Sequence, residues 1–227
     1  MRYDAVVFDA DGVLVEPTAG PTLRRAIRRA LAEHGVSDVP EDVVDGLRAS
    51  TRSELRRVAE RYDLDDPAAF WAARDNHASA AQRAAIRRGE KALYDDVEAV
   101  LDLPVPLAVV SNNQQATIDF LLAHTGIADH FDPVFGRQPT LEDMGRKKPA
   151  PHYLNRALEA LSADRPVFIG DSNVDLAAAE AAGIDAAFIR RAHRADYTVE
   201  YDPAHVIDSL GELPPLVQPA DRAAAQD

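Results

Sequence analysis

The chain reads as an α/β protein: a Rossmann-like parallel sheet with helices on both faces, carrying one inserted all-helical unit. Three observations predict this. From Leu93 onward, short apolar runs bounded by turn residues alternate with amphipathic helical stretches, the pattern of a parallel sheet covered on both sides. The first apolar run, Tyr3-Asp4-Ala5-Val6-Val7-Phe8, stands apart from the rest, with no strand signal between Glu16 and Lys91. Finally, 227 residues hold one sizeable domain plus a smaller insert.

The elements follow in order. After the opening strand, Pro21 to His34 reads as an amphipathic helix with Leu23, Ile27, Ala30 and Leu31 on one stripe, stopped by Gly35. Glu41 to Leu47 and Ser53 to Tyr62 are two more helices, the first closed by Gly46. Asp66 caps a further helix and Pro67 opens it, and the pattern runs through Phe70, Trp71 and Ile86 to Gly89. Beyond it, helices at 95–102, 114–124, 151–161 and 175–182 alternate with strands at 107–111, 134–135, 166–170 and 186–189. Residues 204–207 add an edge strand. Residues 1–15 and 92–217 therefore form the expected α/β core, 16–91 the helical insert, and 218–227 a mobile tail.

Composition narrows the function. No apolar run spans a bilayer, and the first residues form a strand rather than a signal peptide, so neither membrane nor secretion is expected. There are no cysteines, which excludes disulfides, thiol catalysis and zinc-thiolate sites and is compatible with a cytoplasmic protein. The net charge of −13 argues against nucleic acid as a partner. That charge is uneven: residues 16–91 hold 13 acidic and 14 basic residues, the remainder 25 and 11. A cation-rich insert over an anionic core suits the attraction of an anionic substrate. Only 3 of the 25 basic residues are lysines; with the acidic surface and abundant alanine, this resembles proteins from salt-loaded cytoplasms.

The chemistry-bearing residues sit at strand ends. Asp9-Ala10-Asp11-Gly12-Val13 follows the first strand, at the edge where open α/β sheets bind ligands. Strand alternation sends Asp9 and Asp11 to one side, and Gly12 allows a sharp turn or a close approach to a ligand. Such a pair suits a divalent metal with oxygen ligands, or a nucleophile beside a general acid. The strand Leu107 to Val110 ends in Ser111-Asn112-Asn113. Arg146-Lys147-Lys148-Pro149 precedes a helix, and Val167-Phe168-Ile169 ends in Gly170-Asp171-Ser172-Asn173-Val174-Asp175.

Acidic strand end, hydroxyl strand end, lysine, second acidic strand end: this order over residues 3 to 190 resembles the four motifs of the haloacid dehalogenase superfamily, closest to its phosphohydrolases with a helical cap after the first motif. The resemblance implies Asp9 as nucleophile, forming an aspartyl-phosphate that water hydrolyses, and Asp11 as general acid and then base. It implies Mg²⁺ held by Asp9, the Asp11 carbonyl and Asp171. Asp175, one helical turn on, is expected to hold a metal-bound water or the lysine. Ser111 and Asn112 would bind the phosphoryl oxygens. Lys148 would neutralise the group, preferred over Lys147 because the family pattern sets lysine directly before proline.

Asp11 also separates chemistries, since dehalogenases and phosphonate-cleaving relatives lack an aspartate there. Lys91 is the insert's one lysine, at its very edge. In the cap, Thr51-Arg52-Ser53 resembles the segment where sugar phosphomutases place a substrate arginine, so Arg52 is the leading candidate to grip a second phosphate or carboxylate. Arg74, Asn76 and His77 are weaker candidates. Glu16-Pro17-Thr18 departs from the Asp-Ser or Asp-Thr pair of many relatives, which argues against carrying over a particular substrate. The expectation is a phosphohydrolase acting on a small phosphorylated metabolite; a phosphomutase and a catalytically idle binding protein stand as alternatives.

Overall fold

A computed structural model describes residues 2–49 and 51–218. Of the expected tail only Gln218 falls within that range, and Ser50 of the cap segment lies outside it. Six parallel strands form one sheet in the order β3-β2-β1-β4-β5-β6, with β1 Ala5–Phe8, β2 Leu107–Gln114, β3 Val134–Arg137, β4 Pro166–Gly170, β5 Asp185–Ile189 and β6 His205–Ile207. Strand alternation splits the side chains between two buried faces. Val6, Phe8, Val109, Ile169 and Ile189 join one core cluster; Val7, Ala108, Val110, Phe168 and Phe188 join the other. Both faces are covered, which is why these strands are continuous in Val, Ile and Phe.

Helices α1 Gly20–Glu33, α2 Glu41–Ala49, α3 Arg52–Arg61 and α4 Pro67–Arg87 form the insert. They bury a third cluster around Ile27, Leu31, Leu47, Phe70 and Trp71. Asp66 caps α4 by accepting from the Ala68 and Ala69 amides at 3.0 and 2.9 Å. Gly35, with φ 75°, stops the chain just past α1 in the left-handed region that glycine tolerates. The two connections to the core run side by side: Glu16 donates its amide to the Ala92 carbonyl at 2.9 Å, and Val15 bridges Leu93. No helix among the described residues is long and apolar enough to cross a membrane.

The remaining helices are α5 Glu98–Leu101, α6 Gln115–Thr125, α7 Leu141–Met144, α8 His152–Leu161 and α9 Asn173–Ala182. Two local expectations need correction, and one short element went unread. Gly46 lies inside α2 rather than closing it, leaving room that the Glu54 carboxylate fills. Strand β2 runs three residues past Ser111, because a register shift lets Gln114 pair with Arg137. The short α7 carried no periodic signal, and Met144 from it packs into the insert's cluster.

Candidate active site

Strands β2 and β3 lie to one side of β1 and β4 to β6 to the other, so the reversal point falls at the C-terminal ends of β1 and β4. Asp9 leaves β1 there and Asp171 leaves β4. Between them the backbone of Gly12 turns with φ 84°; a Cβ at that position would collide with the Asp171 carboxylate. Gly170 is equally constrained, since a Cβ would overlap Asp175. Both glycines thus let acidic side chains crowd into one space.

Carboxylate oxygens of Asp9, Asp171 and Asp175, all three buried, lie within 4.8 Å of one another. Lys148, 2% exposed, sits among them: its Nζ is 2.8 Å from Asp9 Oδ1 and 2.7 Å from Asp175 Oδ1, and donates to the Val110 carbonyl at 3.1 Å. All three ammonium protons are therefore used. Burial pulls Lys148 down, but the Asp175 and Asp9 carboxylates outweigh it and push its pKa up to about 12. Burial raises Asp9 to about 8, with Asp175 and Asp171 adding to the rise and Lys148 opposing it. Asp171 Oδ2 also faces His193 Nε2 at 2.8 Å and Arg194 Nε at 3.0 Å.

Ser111 is buried, its Oγ accepting the Asn113 amide at 3.2 Å. Asn112 clasps the backbone of Lys148 in both directions: its Nδ2 donates to the Lys148 carbonyl at 3.0 Å and its Oδ1 accepts the Lys148 amide at 2.7 Å. The Asn112 side chain thereby fixes the lysine loop against β2. Asp11 is held differently. One carboxylate oxygen pairs with Lys91 and the other accepts Asn113 Nδ2 at 2.8 Å. Lys91 is 2% exposed and also donates to Thr18 Oγ1 at 2.8 Å and Gln82 Oε1 at 3.2 Å.

Asp9, Asp11, Ser111 and Asn112 open onto one cavity of about 350 Å³, whose other walls include Leu23, Arg74, Gln82, Arg137 and Lys147. Arg52 lies outside that lining: its guanidinium is exposed and donates to the Leu141 carbonyl at 2.8 Å, tying α3 to the first residue of α7. His77 pairs with Glu33 at 2.8 Å and Asn76 is exposed. Of the cap candidates, Arg74 is the one on the cavity wall.

A buried polar stripe on α4 escaped the sequence reading. Asp75, 0% exposed, pairs with Arg74 Nη1 at 2.6 Å, with both terminal nitrogens of Arg137 and with Gln114 Nε2 at 3.2 Å. One and two turns on, Ser79 accepts Thr117 Oγ1 at 2.7 Å, and Gln82 exchanges hydrogen bonds with Asn113. The available signal was the spacing of Asp75, Ser79 and Gln82 on one helical face. Burial acts on the Asp75 carboxyl in the opposite direction to its arginines, which prevail and hold its pKa below the usual range.

A family model of haloacid dehalogenase-like hydrolases matches residues 3–183. The plasmid phosphoglycolate phosphatase of Cupriavidus necator is 31% identical over 239 residues, covering 97% of this chain and 96% of that protein. The phosphoglycolate phosphatase of Neisseria meningitidis is 30% identical over 199 residues, covering 80% and 78%. Among solved structures, CbbY from Rhodobacter sphaeroides in complex with phosphate matches with a TM-score of 0.64 at 25% identity, over 93% of this chain and 96% of that one. A mutant of CbbY in complex with xylulose-(1,5)bisphosphate shares the fold, with a TM-score of 0.71 at 22% identity over 95% and 100%. With the four motif segments gathered at one sheet edge, the chain belongs to the haloacid dehalogenase-like hydrolases, on their phosphatase branch.

Proposed function

We propose that this chain is a Mg²⁺-dependent phosphohydrolase that releases phosphate from a small phosphorylated metabolite of the cytoplasm, by way of an aspartyl-phosphate on Asp9. The observation that carries the reading is Asp9 itself. It is a buried carboxylate held by Lys148, on one cavity with Asp11 and Ser111. The donors around it fit the metal, since Asp9, Asp171 and Asp175 offer converging carboxylate oxygens of the kind a hard divalent cation takes. Asp9, Asp171 and the Asp11 carbonyl would hold Mg²⁺, with Asp175 fixing Lys148 beside it. Bound there, the cation screens the negative phosphoryl group that a carboxylate must approach.

The chain's own groups do the rest. A carboxylate oxygen of Asp9 attacks phosphorus while Ser111 and the Asn112 segment hold the phosphoryl oxygens and Lys148, its protons committed to Asp9, Asp175 and the Val110 carbonyl, neutralises charge from behind. Asp11 gives a proton to the departing oxygen, then takes one from the water that attacks the phosphorus of the acyl phosphate. Residues 16–91 act as the cap: α4 lies over the cavity through Arg74 and Gln82 and limits access to small substrates.

Two expected results test this reading. Phosphate release from a panel of small phosphorylated metabolites should appear with Mg²⁺, vanish with chelator and return when Mg²⁺ is restored. Release indifferent to chelator would remove the metal from the account, and silence from folded, Mg²⁺-binding protein would remove the phosphohydrolase. The second result concerns Lys91, whose contacts aim the Asp11 carboxylate. Lys91→Met should lower kcat/KM for an alkyl phosphate, which reports the step in which the leaving group departs, by roughly 10²-fold, the scale of general acid catalysis. An aryl phosphate, whose leaving group needs little protonation, should lose far less. Equal losses on both would remove Lys91 from the protonation of the leaving group.

A further inference from the structure

Two side chains beside the clustered carboxylates take no part in the chemistry above. Just past β5 the chain makes a 3₁₀ turn, Ala192–Arg194, and from it His193 Nε2 and Arg194 Nε reach Asp171 at 2.8 and 3.0 Å. Both contacts fall on the same oxygen, Oδ2, and Oδ1 receives neither. Gly12 leaves the room for this meeting, since a Cβ there would overlap Asp171 Oδ2 and stand 3.1 Å from His193 Nε2.

Each donor is braced from behind. With Nε2 donating to the carboxylate, His193 Nδ1 is left to accept the Tyr94 hydroxyl at 3.3 Å, so both ring nitrogens are used. The Arg194 guanidinium lies over the Tyr197 ring, 4.5 Å from its centroid. That tyrosine is itself fixed: its hydroxyl accepts the Asn173 amide at 2.9 Å where α9 begins, and its ring stacks on Phe188 of β5. Arg191 fastens the turn to the loop of Asp11, its Nη2 donating to the Val13 carbonyl at 2.7 Å while Nη1 pairs with Asp96. The turn is thus tied to both segments that supply metal-binding oxygens, 9–13 and 171–175. Hydrogen bonds to one oxygen of a ligating carboxylate orient the group and fix what it offers the metal.

Mg²⁺ demands a near-octahedral shell with few carboxylate oxygens, whereas Ca²⁺ accepts a larger, looser shell and readily takes a carboxylate through both oxygens. A carboxylate whose Oδ2 is held by two donors has one oxygen left to give. We propose that His193 and Arg194 hold Asp171 as a one-oxygen ligand and thereby set the preference of the site for Mg²⁺ over Ca²⁺. This rests on the Mg²⁺-dependent reading above and adds two specificity-determining residues to it. The charge of Arg194 acts alike on two cations of equal charge, so the ratio of their affinities reports the geometry alone.

The test is metal binding to the metal-free protein, followed by isothermal titration calorimetry and by the rise of Tm with Mg²⁺ or with Ca²⁺. Asp171→Asn defines the signal from other acidic groups. Wild type should bind Mg²⁺ more tightly than Ca²⁺. Arg194→Met and His193→Ala should each lower the ratio of the Ca²⁺ Kd to the Mg²⁺ Kd, and the double variant should lower it by about tenfold, the scale of such supporting contacts. The His193 and Arg194 side chains are 26% and 32% exposed, so both variants are expected to fold, and melts without metal check this. Should one of them fail to melt cooperatively, the other carries the test. Equal weakening of both cations would reduce the pair to supports of Asp171 and overturn the inference. Equal tightening would make Arg194 a counter-ion that metal displaces, and a wild type without preference for Mg²⁺ would leave nothing to select; either result overturns it as well. In all three cases Mg²⁺-dependent phosphate release by wild type leaves the phosphohydrolase standing. A folded wild type that binds neither cation removes the Mg²⁺-dependent reading and the inference together.

Discussion

Asp9→Asn should abolish phosphate release, by about 10⁴-fold or more, the scale on which loss of a nucleophile is felt, while the protein stays folded. The amide keeps the size of the carboxylate but cannot attack phosphorus. Stability should survive because the substitution removes one of three crowded negative charges. Lys148 retains Asp175 at 2.7 Å and the Val110 carbonyl at 3.1 Å as acceptors. Initial rates on any substrate of the wild-type enzyme, beside a thermal melt of both proteins, check both halves. An active Asp9→Asn enzyme would move the nucleophile elsewhere.

The largest expected effect on stability comes from Asp75→Asn. Asp75 on α4 is 0% exposed and is the carboxylate shared by Arg74 and Arg137, so neutralising it leaves two guanidinium groups facing each other in the interior. Removing one partner from a buried ion pair costs about 3–5 kcal/mol. In a protein of this size each kcal/mol moves Tm by roughly 2–4 °C, so a drop on the order of 10 °C is expected. The Trp71 ring stacks under both guanidinium groups, at 4.9 and 5.2 Å from the centroid, and shares the disturbance. Because Arg137 belongs to β3 and Asp75 to the insert, the loss also loosens α4 from the sheet. Asp75→Asn combined with Arg137→Gln should cost less than the two single losses added, since the double variant buries one fewer unpaired charge. Strict additivity, or a Tm within a degree or two of wild type, would contradict the picture.

What the sequence disclosed follows from what physics writes into local pattern. Strands buried on both faces must be runs of Val, Ile, Ala and Phe, so β1, β2, β4 and β5 were legible, and so were Asp9, Ser111 and Asp171 at or near the ends of the first three. The Asp66-Pro67 start of α4 was equally plain because a capping carboxylate and a proline without an amide proton act locally. Periodicity fails where a helix buries polar groups. Asp75, Ser79 and Gln82 look like a solvated face until Arg137 and Asn113 arrive from the sheet and Thr117 from α6 to satisfy them. Arg52 was favoured over Arg74 by a short segment resemblance, and no local rule could show that Arg52 reaches the Leu141 carbonyl instead. Lys91 was visible as a lone lysine at the edge of the insert, but its contact with Asp11 depends on two chain connections meeting.

The most direct test of the central claim is to trap the phosphorylated enzyme. Wild-type protein with Mg²⁺ and a turned-over substrate is quenched in acid within the first turnovers, digested and analysed by mass spectrometry. The account predicts one phosphoryl group on the peptide containing Asp9, localised to that side chain, decaying as phosphate is released and absent from Asp9→Asn. Steady phosphate release with no modified peptide, or with the phosphoryl group on any other residue, would contradict it.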